Sequence, residues 1–200
     1  MAKYIKTEEG YKGLEKSISA VTDTVITKLS TDKMDKTNPV GTGSFSMNRK
    51  AGTVIGINSH TEGNETTASG LFSHAEGAMT TASGEDSHAE GSQTTASDYY
   101  SHAEGNQTTS SGEASHAEGS QTIASNSCSH AEGYKTTASN YCSHAEGYKT
   151  TASGNTSHAE GDNTTASNYC SHASGKYNVA MTEGGSVSNT IGTAFVIGNG

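Results

Sequence analysis

Large apolar side chains are scarce in this chain of 200 residues. Leucine, isoleucine, valine and phenylalanine together account for 21 positions, and tryptophan is absent. A share below about 20% is too small for an ordinary packed core, so a globule with a large aliphatic interior is excluded. Disorder is not expected either, since charged residues make up only 16% of the chain and the sequence repeats with a fixed period. We expect small polar residues to stack in an ordered way.

Further absences restrict the function. Lysine and arginine number 12 against 21 aspartates and glutamates, and the net charge of −9 argues against nucleic-acid binding, which needs a concentrated basic surface. No apolar run is long enough for membrane insertion, and the polar first ten residues lack the apolar segment of a secretory signal peptide. Three cysteines, an odd number, argue against a disulfide framework. We expect assembly in a reducing cytoplasm.

The chain instead carries a repeat of 14 residues that is marked by histidine. The unit reads Ser-His-Ala-Glu-Gly, two variable residues, Thr-Thr-Ala-Ser, then Gly, Asn or Asp, and two more variable residues. We number its positions 1 to 14 from the serine and call each unit a coil. The period does not match the helical repeats of about 33 to 47 residues, and its glycines exclude a pair of heptads. All nine histidines occupy position 2: His60, His74, His88, His102, His116, His130, His144, His158 and His172.

Residues that accept a left-handed backbone divide each coil into two parts. Glycine stands at position 5, and glycine, asparagine or aspartate at position 12. The pattern predicts strands at positions 1–4 and 8–11, each followed by a turn. One coil cannot bury a core alone, so successive coils must stack as parallel strands about 4.8 Å apart. The predicted fold class for residues 45–178 is an all-β parallel solenoid, or β-roll, of 14-residue coils.

Strand alternation sorts the positions of a coil into faces. Ser, Ala, Thr and Ala at positions 1, 3, 8 and 10 are predicted to fill a thin interior, while positions 9 and 11 carry hydroxyl groups and face solvent. Histidine and glutamate at positions 2 and 4 share the opposite face with position 14. Apolar groups in register with a repeated histidine favour burial against a partner, which three rolls on one axis would supply. A ladder exposed to solvent is the alternative.

A heptad stripe precedes the repeats. Apolar residues spaced three and four apart predict an α-helical coiled coil, serving as an attachment segment, over residues 1–37. An amphipathic helix that packs on another element is the alternative. Residues 38–44, with the single proline, are interpreted as a linker, and residues 179–200 as the start of a C-terminal β segment that looks truncated.

The repeat between Ser59 and Gly175 resembles the head repeat of trimeric autotransporter adhesins of the YadA type. That family's unit reads roughly Ser-Val-Ala-Ile-Gly-x-x-Ser-x-Ala-x-Gly, and histidine and glutamate stand here at its valine and isoleucine positions. The resemblance implies a left-handed parallel β-roll in which three chains pack side by side through those positions. Together with the histidines and glutamates, the residues predicted at the trimer interface are Leu14, Ile18, Val21, Val25, Phe72, Tyr100, Cys128, Cys142 and Cys170.

The histidine and glutamate form of the repeat also looks like that of bacteriophage tail fibres and appendages. In some of these, a segment similar to residues 194–200 precedes a self-cleaving C-terminal chaperone domain. An autotransporter adhesin requires an export signal and a membrane anchor, neither of which this sequence shows. A phage fibre requires neither, because it is assembled in the host cytoplasm and released by lysis.

The expected function is therefore structural and not enzymatic. The resemblance implies a homotrimeric shaft of a phage tail fibre or appendage, located in the virion. Its N-terminal segment would contact other tail proteins, and the fibre would support attachment to a glycan or protein of the host surface. A trimeric adhesin head on a bacterial surface is the first alternative, and a monomeric metal-binding solenoid is the second.

Metal binding is considered because histidine and glutamate two residues apart on a strand point to the same side, and both ligate first-row metals. The preferred interpretation is a hydrogen-bonded stack of histidine and glutamate between chains, so that no metal or other cofactor is expected. A metal-binding ladder is the alternative. Its members would be the nine histidines and Glu76, Glu90, Glu104, Glu118, Glu132, Glu146 and Glu160.

No catalytic residues are expected, because groups that recur in every coil do not form one converging constellation. Cys128 and Cys142, one coil apart, lie within the Cα range of a disulfide, but free packed thiols are preferred. Several tyrosines occupy turn positions, where they cover small residues or, alternatively, bind carbohydrate. These are Tyr99, Tyr100, Tyr134, Tyr141, Tyr148 and Tyr169.

Overall fold

The computed structural model describes residues 44–178 and the backbone of residues 195–198. These residues belong to the C-terminal of two compact units, Gly41–Gly200. The described part consists of β-strands and turns and contains no helix. The predicted coiled coil over residues 1–37, with its interface positions, and residues 38–43 of the predicted linker lie outside the described residues.

Most coils contribute one strand of five residues, at positions 2–6, and one of two residues, at positions 9–10. The strands are β1 Phe45–Arg49, β2 His60–Ala68, β3 His74–Ala78, β4 Thr81–Ala82, β5 His88–Ser92, β6 Thr95–Ala96, β7 His102–Asn106, β8 Thr109–Ser110, β9 His116–Ser120, β10 Ile123–Ala124, β11 His130–Tyr134, β12 Thr137–Ala138, β13 His144–Tyr148, β14 Thr151–Ala152, β15 His158–Asp162, β16 Thr165–Ala166, β17 His172–Gly175 and β18 Phe195–Gly198.

All pairings are parallel and join equivalent positions of neighbouring coils. In β3 and β5, for example, His74 pairs with His88, and alanine, glutamate and glycine follow in the same register. The amide of His88 donates a hydrogen bond of 2.9 Å to the carbonyl of Ser101 in the next coil. The short strands pair with short strands in the same way. This confirms the predicted parallel β-solenoid of 14-residue coils.

The interior is built from very small side chains. Serine, alanine, threonine and alanine at positions 1, 3, 8 and 10 are buried, and every buried apolar side chain among the described residues is an alanine. The largest fully buried side chains are threonines. The predicted composition of the interior is therefore confirmed. A core of this size brings the long and short strands of one coil close together, as in a thin roll.

The strands and turns differ in detail from the prediction. The predicted positive φ at position 5 is confirmed, as in Gly91 with φ of 103°, but position 12 does not have it, and the other left-handed residues are at positions 7 and 14, such as Gln93 and Tyr100 with φ of 58° and 56°. Position 12 serves another purpose. The hydroxyl of Ser87 donates to the carbonyl of Gly84 at 2.7 Å, and the side-chain carbonyl of Asn140 accepts from the amide of the next residue at 2.9 Å. The turn-forming residues at position 12 thus close a hydrogen-bonded corner.

The two ends of the roll depart from the 14-residue register. In the first coil, Phe45 pairs with His60, one residue more than the period, and the pairing shifts between Met47 and Arg49. At the other end β18 adds a parallel strand to β17, with Phe195 opposite His172.

Candidate functional site

The side chains at positions 2 and 4 form a continuous column on the outer face of the long strands, here called the His–Glu ladder. From His74 to His158 the centroids of successive imidazoles lie 4.7–4.8 Å apart, with interplanar angles of 4–7°. Parallel in-register pairing produces this stack, because equivalent residues of neighbouring strands are separated by about 4.8 Å. The terminal rings of His60 and His172 tilt by 55° and 71° from their neighbours.

Each imidazole of the first six ladder steps faces the carboxylate of its own coil. The distance from Nε2 to the nearer carboxylate oxygen is 3.5 Å for His88 and Glu90 and 3.7 Å for His116 and Glu118. These distances exceed the about 3.2 Å of a good N–H···O hydrogen bond. A single chain therefore positions imidazole and carboxylate side by side without a good hydrogen bond between them.

The partnership changes at Glu146. One of its carboxylate oxygens lies 3.9 Å from Nε2 of His144 in the same coil, and the other lies 3.7 Å from Nε2 of His158 in the next coil. Beyond this point Glu160 faces His172 of the following coil, at 3.5 Å. Glu146 thus bridges the imidazoles of two consecutive coils.

The imidazole Nε2 atoms are hidden from solvent although the rings are not. The side chains of His88, His102, His116 and His130 are 35% exposed. Their Nε2 atoms are nevertheless buried and have no hydrogen-bond partner within the part of the chain that the structure describes. The same holds for His74, His144 and His158. A buried nitrogen without a partner is energetically unfavourable. These atoms are therefore potential hydrogen-bonding or ligand atoms that the described residues do not use.

The ladder shifts the pKa values of its own members. Burial, and then the neighbouring imidazole, lowers the pKa of His102 and His116 below the ordinary 6.5, against an opposing effect of nearby glutamates. The same causes lower the pKa of His74 and His144. These four imidazoles are therefore mainly neutral at pH 7.

The carboxylates are shifted in the opposite direction. Burial, and then the charges of Glu132 and Glu104, raises the pKa of Glu118 above the ordinary 4.5. Burial and a hydrogen bond with Glu160 raise the pKa of Glu146. Like groups stacked in a column disfavour the charged form of one another.

Four groups of ladder residues bring three potential metal ligands together. In each group the ligand atoms lie within 4.8 Å of one another. Three groups consist of two consecutive histidines and the glutamate between them, and one consists of a histidine between two glutamates. They are His102–Glu104–His116, His130–Glu132–His144, His144–Glu146–His158 and Glu76–His88–Glu90.

The apolar residues of position 14 do not lie on the ladder strand. Phe72 and Tyr100 have a left-handed backbone, with φ of 55° and 56°, and are 50% and 59% exposed. Strand alternation does not carry across such a corner, so the prediction that position 14 alternates with positions 2 and 4 on one strand is wrong. Cys128, Cys142 and Cys170 occupy the same corner. They hold free thiols, and partial desolvation, followed by a hydrogen bond with Cys142, raises the pKa of Cys128.

The tyrosines occupy exposed turns. Tyr134 and Tyr148 stack with centroids 5.2 Å apart, and the ammonium groups of Lys135 and Lys149 lie 5.3 and 4.9 Å from these rings. Each lysine therefore makes a cation–π contact with the preceding tyrosine. Tyr99, Tyr141 and Tyr169, at position 13, are more than half exposed.

One ladder was missed in the sequence. The side-chain amide of Gln107 donates to Gln93 at 2.9 Å, and that of Gln121 donates to Gln107 at 2.8 Å. Glutamine at position 7 of three consecutive coils was the available signal. This amide ladder binds successive turns to one another on the outside of the roll.

Neither a protein-family model nor a curated protein sequence matches this chain. Among the described residues there is no helix long and apolar enough to cross a membrane. The functional argument therefore depends on the geometry of the roll and of the ladder.

Proposed function

We propose that the protein is a structural fibre segment: a homotrimeric, left-handed β-roll shaft of a phage tail fibre or appendage that supports attachment to a host surface. The observation that carries this proposal is the position of the apolar side chains. All buried apolar side chains of the described residues are alanines, whereas large apolar and aromatic side chains are exposed. Copies of the chain packed side by side would cover them.

Several of the few large apolar side chains of this protein are exposed. Val54 is 77% exposed, Ile57 54%, Phe72 50% and Tyr100 59%. Scattered exposed apolar residues are ordinary on a globular protein, which also has a core of such residues. Among the described residues the interior holds nothing larger than threonine, so a partner is needed to bury most of the apolar surface of these four side chains.

A stack of equivalent coils is suited to spanning a distance. Each coil contacts only its neighbours and presents the same outer groups at every level, and the length grows with the number of coils. The ladder of imidazoles and carboxylates, with its buried and unpartnered Nε2 atoms, is proposed to face the axis of the trimer. There the neighbouring chains would bury it further.

The remaining parts of the fibre follow from the resemblance of the repeat to phage fibres. Residues 1–37 are proposed to form the trimeric coiled coil that attaches the shaft to other tail proteins. The shaft would carry or position a surface that binds a glycan or protein of the host. A bacterial surface adhesin head with the same trimeric roll is the alternative assignment.

The native mass in solution tests the assembly. The subunit has a mass of 20.5 kDa, so light scattering of the full chain is expected to give about three times this value. Replacing both corner aromatics, in Phe72→Ser/Tyr100→Ser, is expected to weaken the trimer, while Tyr134→Ser on the opposite turn serves as a control. A monomer of the unaltered chain at all concentrations contradicts the proposal.

The genes that flank the coding sequence separate the two trimeric assignments. Neighbouring genes for virion structural proteins support a tail fibre. A neighbouring or continuous coding segment for an outer-membrane anchor supports the adhesin. Labelling of purified virions with an antibody against the chain gives an independent test, and unlabelled virions contradict the tail-fibre assignment.

A further inference from the structure

We propose that the His–Glu ladder binds divalent transition-metal ions, with Zn²⁺ as the representative ion, in sites formed by consecutive coils of one chain. Each site consists of three of the neighbouring imidazoles and carboxylates described above, whose ligand atoms lie within 4.8 Å of one another. The proposal does not depend on the fibre function, because one chain supplies all three ligands.

The distances between the ligands suit a tetrahedral ion. Two ligands at about 2.1 Å from a tetrahedral Zn²⁺ lie about 3.4 Å apart. The imidazole nitrogens and carboxylate oxygens of the ladder are 3.6 Å apart in His102–Glu104 and 3.7 Å apart in His130–Glu132. This spacing is too long for a hydrogen bond but close to that of two ligands on one metal. Because a metal binds an imidazole nitrogen in the plane of the ring, the stacked imidazoles of consecutive coils have to turn out of their parallel arrangement, about a χ2 torsion that has a broad range of allowed values.

The donor types select the class of ion. Imidazole nitrogen with carboxylate oxygen suits zinc, copper, nickel and cobalt, whereas magnesium and calcium prefer sites made of oxygen alone. Three protein ligands leave one position of a tetrahedral ion for water or for a group from a neighbouring chain. The same sites are thus available in a monomer and in a trimer.

The buried nitrogens are a second, independent observation. His102, His116, His130 and His144 each direct into the ladder an Nε2 atom that is buried and lacks a hydrogen-bond partner. A metal ion would give these nitrogens the partner that the single chain does not supply. The sequence alone favoured a hydrogen-bonded stack between chains. Within one chain the distances between imidazole and carboxylate are longer than such bonds require.

The overlap of the groups sets the stoichiometry. Two of the four groups share His144. Its imidazole supplies one ligand nitrogen, so only one of these two groups can hold an ion at a time. The other two groups share no residue with them or with each other. Three ions per chain are therefore expected at saturation.

The test is a titration of the full, untagged chain with ZnCl₂, followed by calorimetry, with the bound ions counted by native mass spectrometry. Three Zn²⁺ per chain are expected, with no binding of Mg²⁺. Glu104→Gln removes the charge and one ligand of the site at His102 and His116, so it should reduce the count to two. Glu113→Gln removes the same charge at an exposed turn and should leave the count at three.

His116→Gln removes the same site through a different ligand and guards against a folding defect in one variant. Circular dichroism of each variant verifies that the roll is intact. Failure of the unaltered chain to bind Zn²⁺ at micromolar concentrations overturns the proposal. So does a count that falls equally in the Glu104 and Glu113 variants, which would show diffuse attraction to negative charge. A trimer without Zn²⁺ sites refutes only the metal proposal, and a monomer with three sites refutes only the fibre assembly.

Discussion

Glycine at position 5 of each coil satisfies two separate requirements. Gly105 has a φ of +104°, a region that residues with a side chain rarely adopt. A Cβ atom at this residue would lie 2.1 Å from the carbonyl oxygen of Gly119 in the next coil. Backbone conformation and close stacking therefore both demand glycine, which explains why the residue recurs at this position in every coil.

Replacing this glycine separates the two requirements. Gly105→Ala is expected to lower the free energy of unfolding by about 3 kcal/mol, because backbone strain and a steric clash add. Gly52→Ala is the matched control, since Gly52 has a φ of +78° but no atom within 4 Å of the added Cβ. Its loss is expected to be about 1 kcal/mol from the backbone alone. Chemical denaturation of the two variants measures the difference, and equal losses would show that stacking is not the cause.

At the scale of the elements, the ladder couples stability to pH. The surroundings of His116 illustrate the balance: burial and His130 lower its pKa, while Glu104 and Glu132 raise it. Above about pH 7.5 the ring is neutral in the folded and unfolded chains, so no stability is lost. As the pH falls below this value the unfolded chain binds protons first, and the folded state loses stability.

The free energy of unfolding is therefore expected to decrease as the pH falls from about 7.5 to about 5.5. Glu118 and Glu146 have the opposite effect at lower pH. Because their pKa values are raised above 4.5 in the folded chain, the folded chain binds protons before the unfolded chain does, and their protonation favours the folded state. Urea denaturation at a series of pH values, with a chelator present, measures the profile. The variant His102→Gln/His116→Gln should show a weaker dependence. A stability that is constant or increases over this range disagrees with the expected sign.

The sequence predicted the strands and their pairing better than the backbone conformation of the turns. The 14-residue period was sufficient to predict the parallel register, and the small residues at positions 1, 3, 8 and 10 were sufficient to predict the interior. Successive side chains of a strand point to opposite faces, so the register fixes the face on which each position lies. The positive φ at position 5 was predicted correctly, but the one expected at position 12 was misplaced. Asn140 at position 12 accepts a local hydrogen bond with an ordinary φ, and Cys142 two residues on adopts φ of +47°. Composition does not reveal which residue of a turn bears the left-handed conformation.

The candidate site was predicted in its members but not in its geometry. Histidine and glutamate at positions 2 and 4 follow directly from the repeat. The burial of Nε2 and the change of partner at Glu146, whose carboxylate lies 3.9 Å from His144 and 3.7 Å from His158, depend on the rotamers of these side chains. These rotamers are set by packing between neighbouring coils, and the 14-residue sequence pattern does not predict them.

At the scale of the whole molecule, the coils are interchangeable units. The long strands on either side of one coil present the same residues in the same register, as β5 and β9 do around β7. Stability of such an array is approximately a sum over units and over their interfaces. Removing one complete unit should therefore leave the architecture intact.

Deletion of residues 104–117, which removes 14 residues, joins Ala103 to Glu118 and restores a complete coil. The variant is expected to fold as a roll that is shorter by about 4.8 Å, with a slightly lower Tm. Deletion of residues 104–116 removes one residue fewer and places Glu118 where the backbone requires glycine. Circular dichroism and thermal melting compare the two. Equal melting temperatures would contradict the requirement for a full coil.

The hydrogen bonds between coils have a mechanical consequence. They join the amide of one coil to a carbonyl of the next, as from His102 to Ser115 at 2.9 Å, and so they point along the direction of stacking. Tension along that direction stretches these bonds lengthwise and detaches the roll one coil at a time, each releasing a loop of 14 residues. A detached coil meets the same strand edge when the load is removed, so the roll is expected to extend in equal steps and to recover its length.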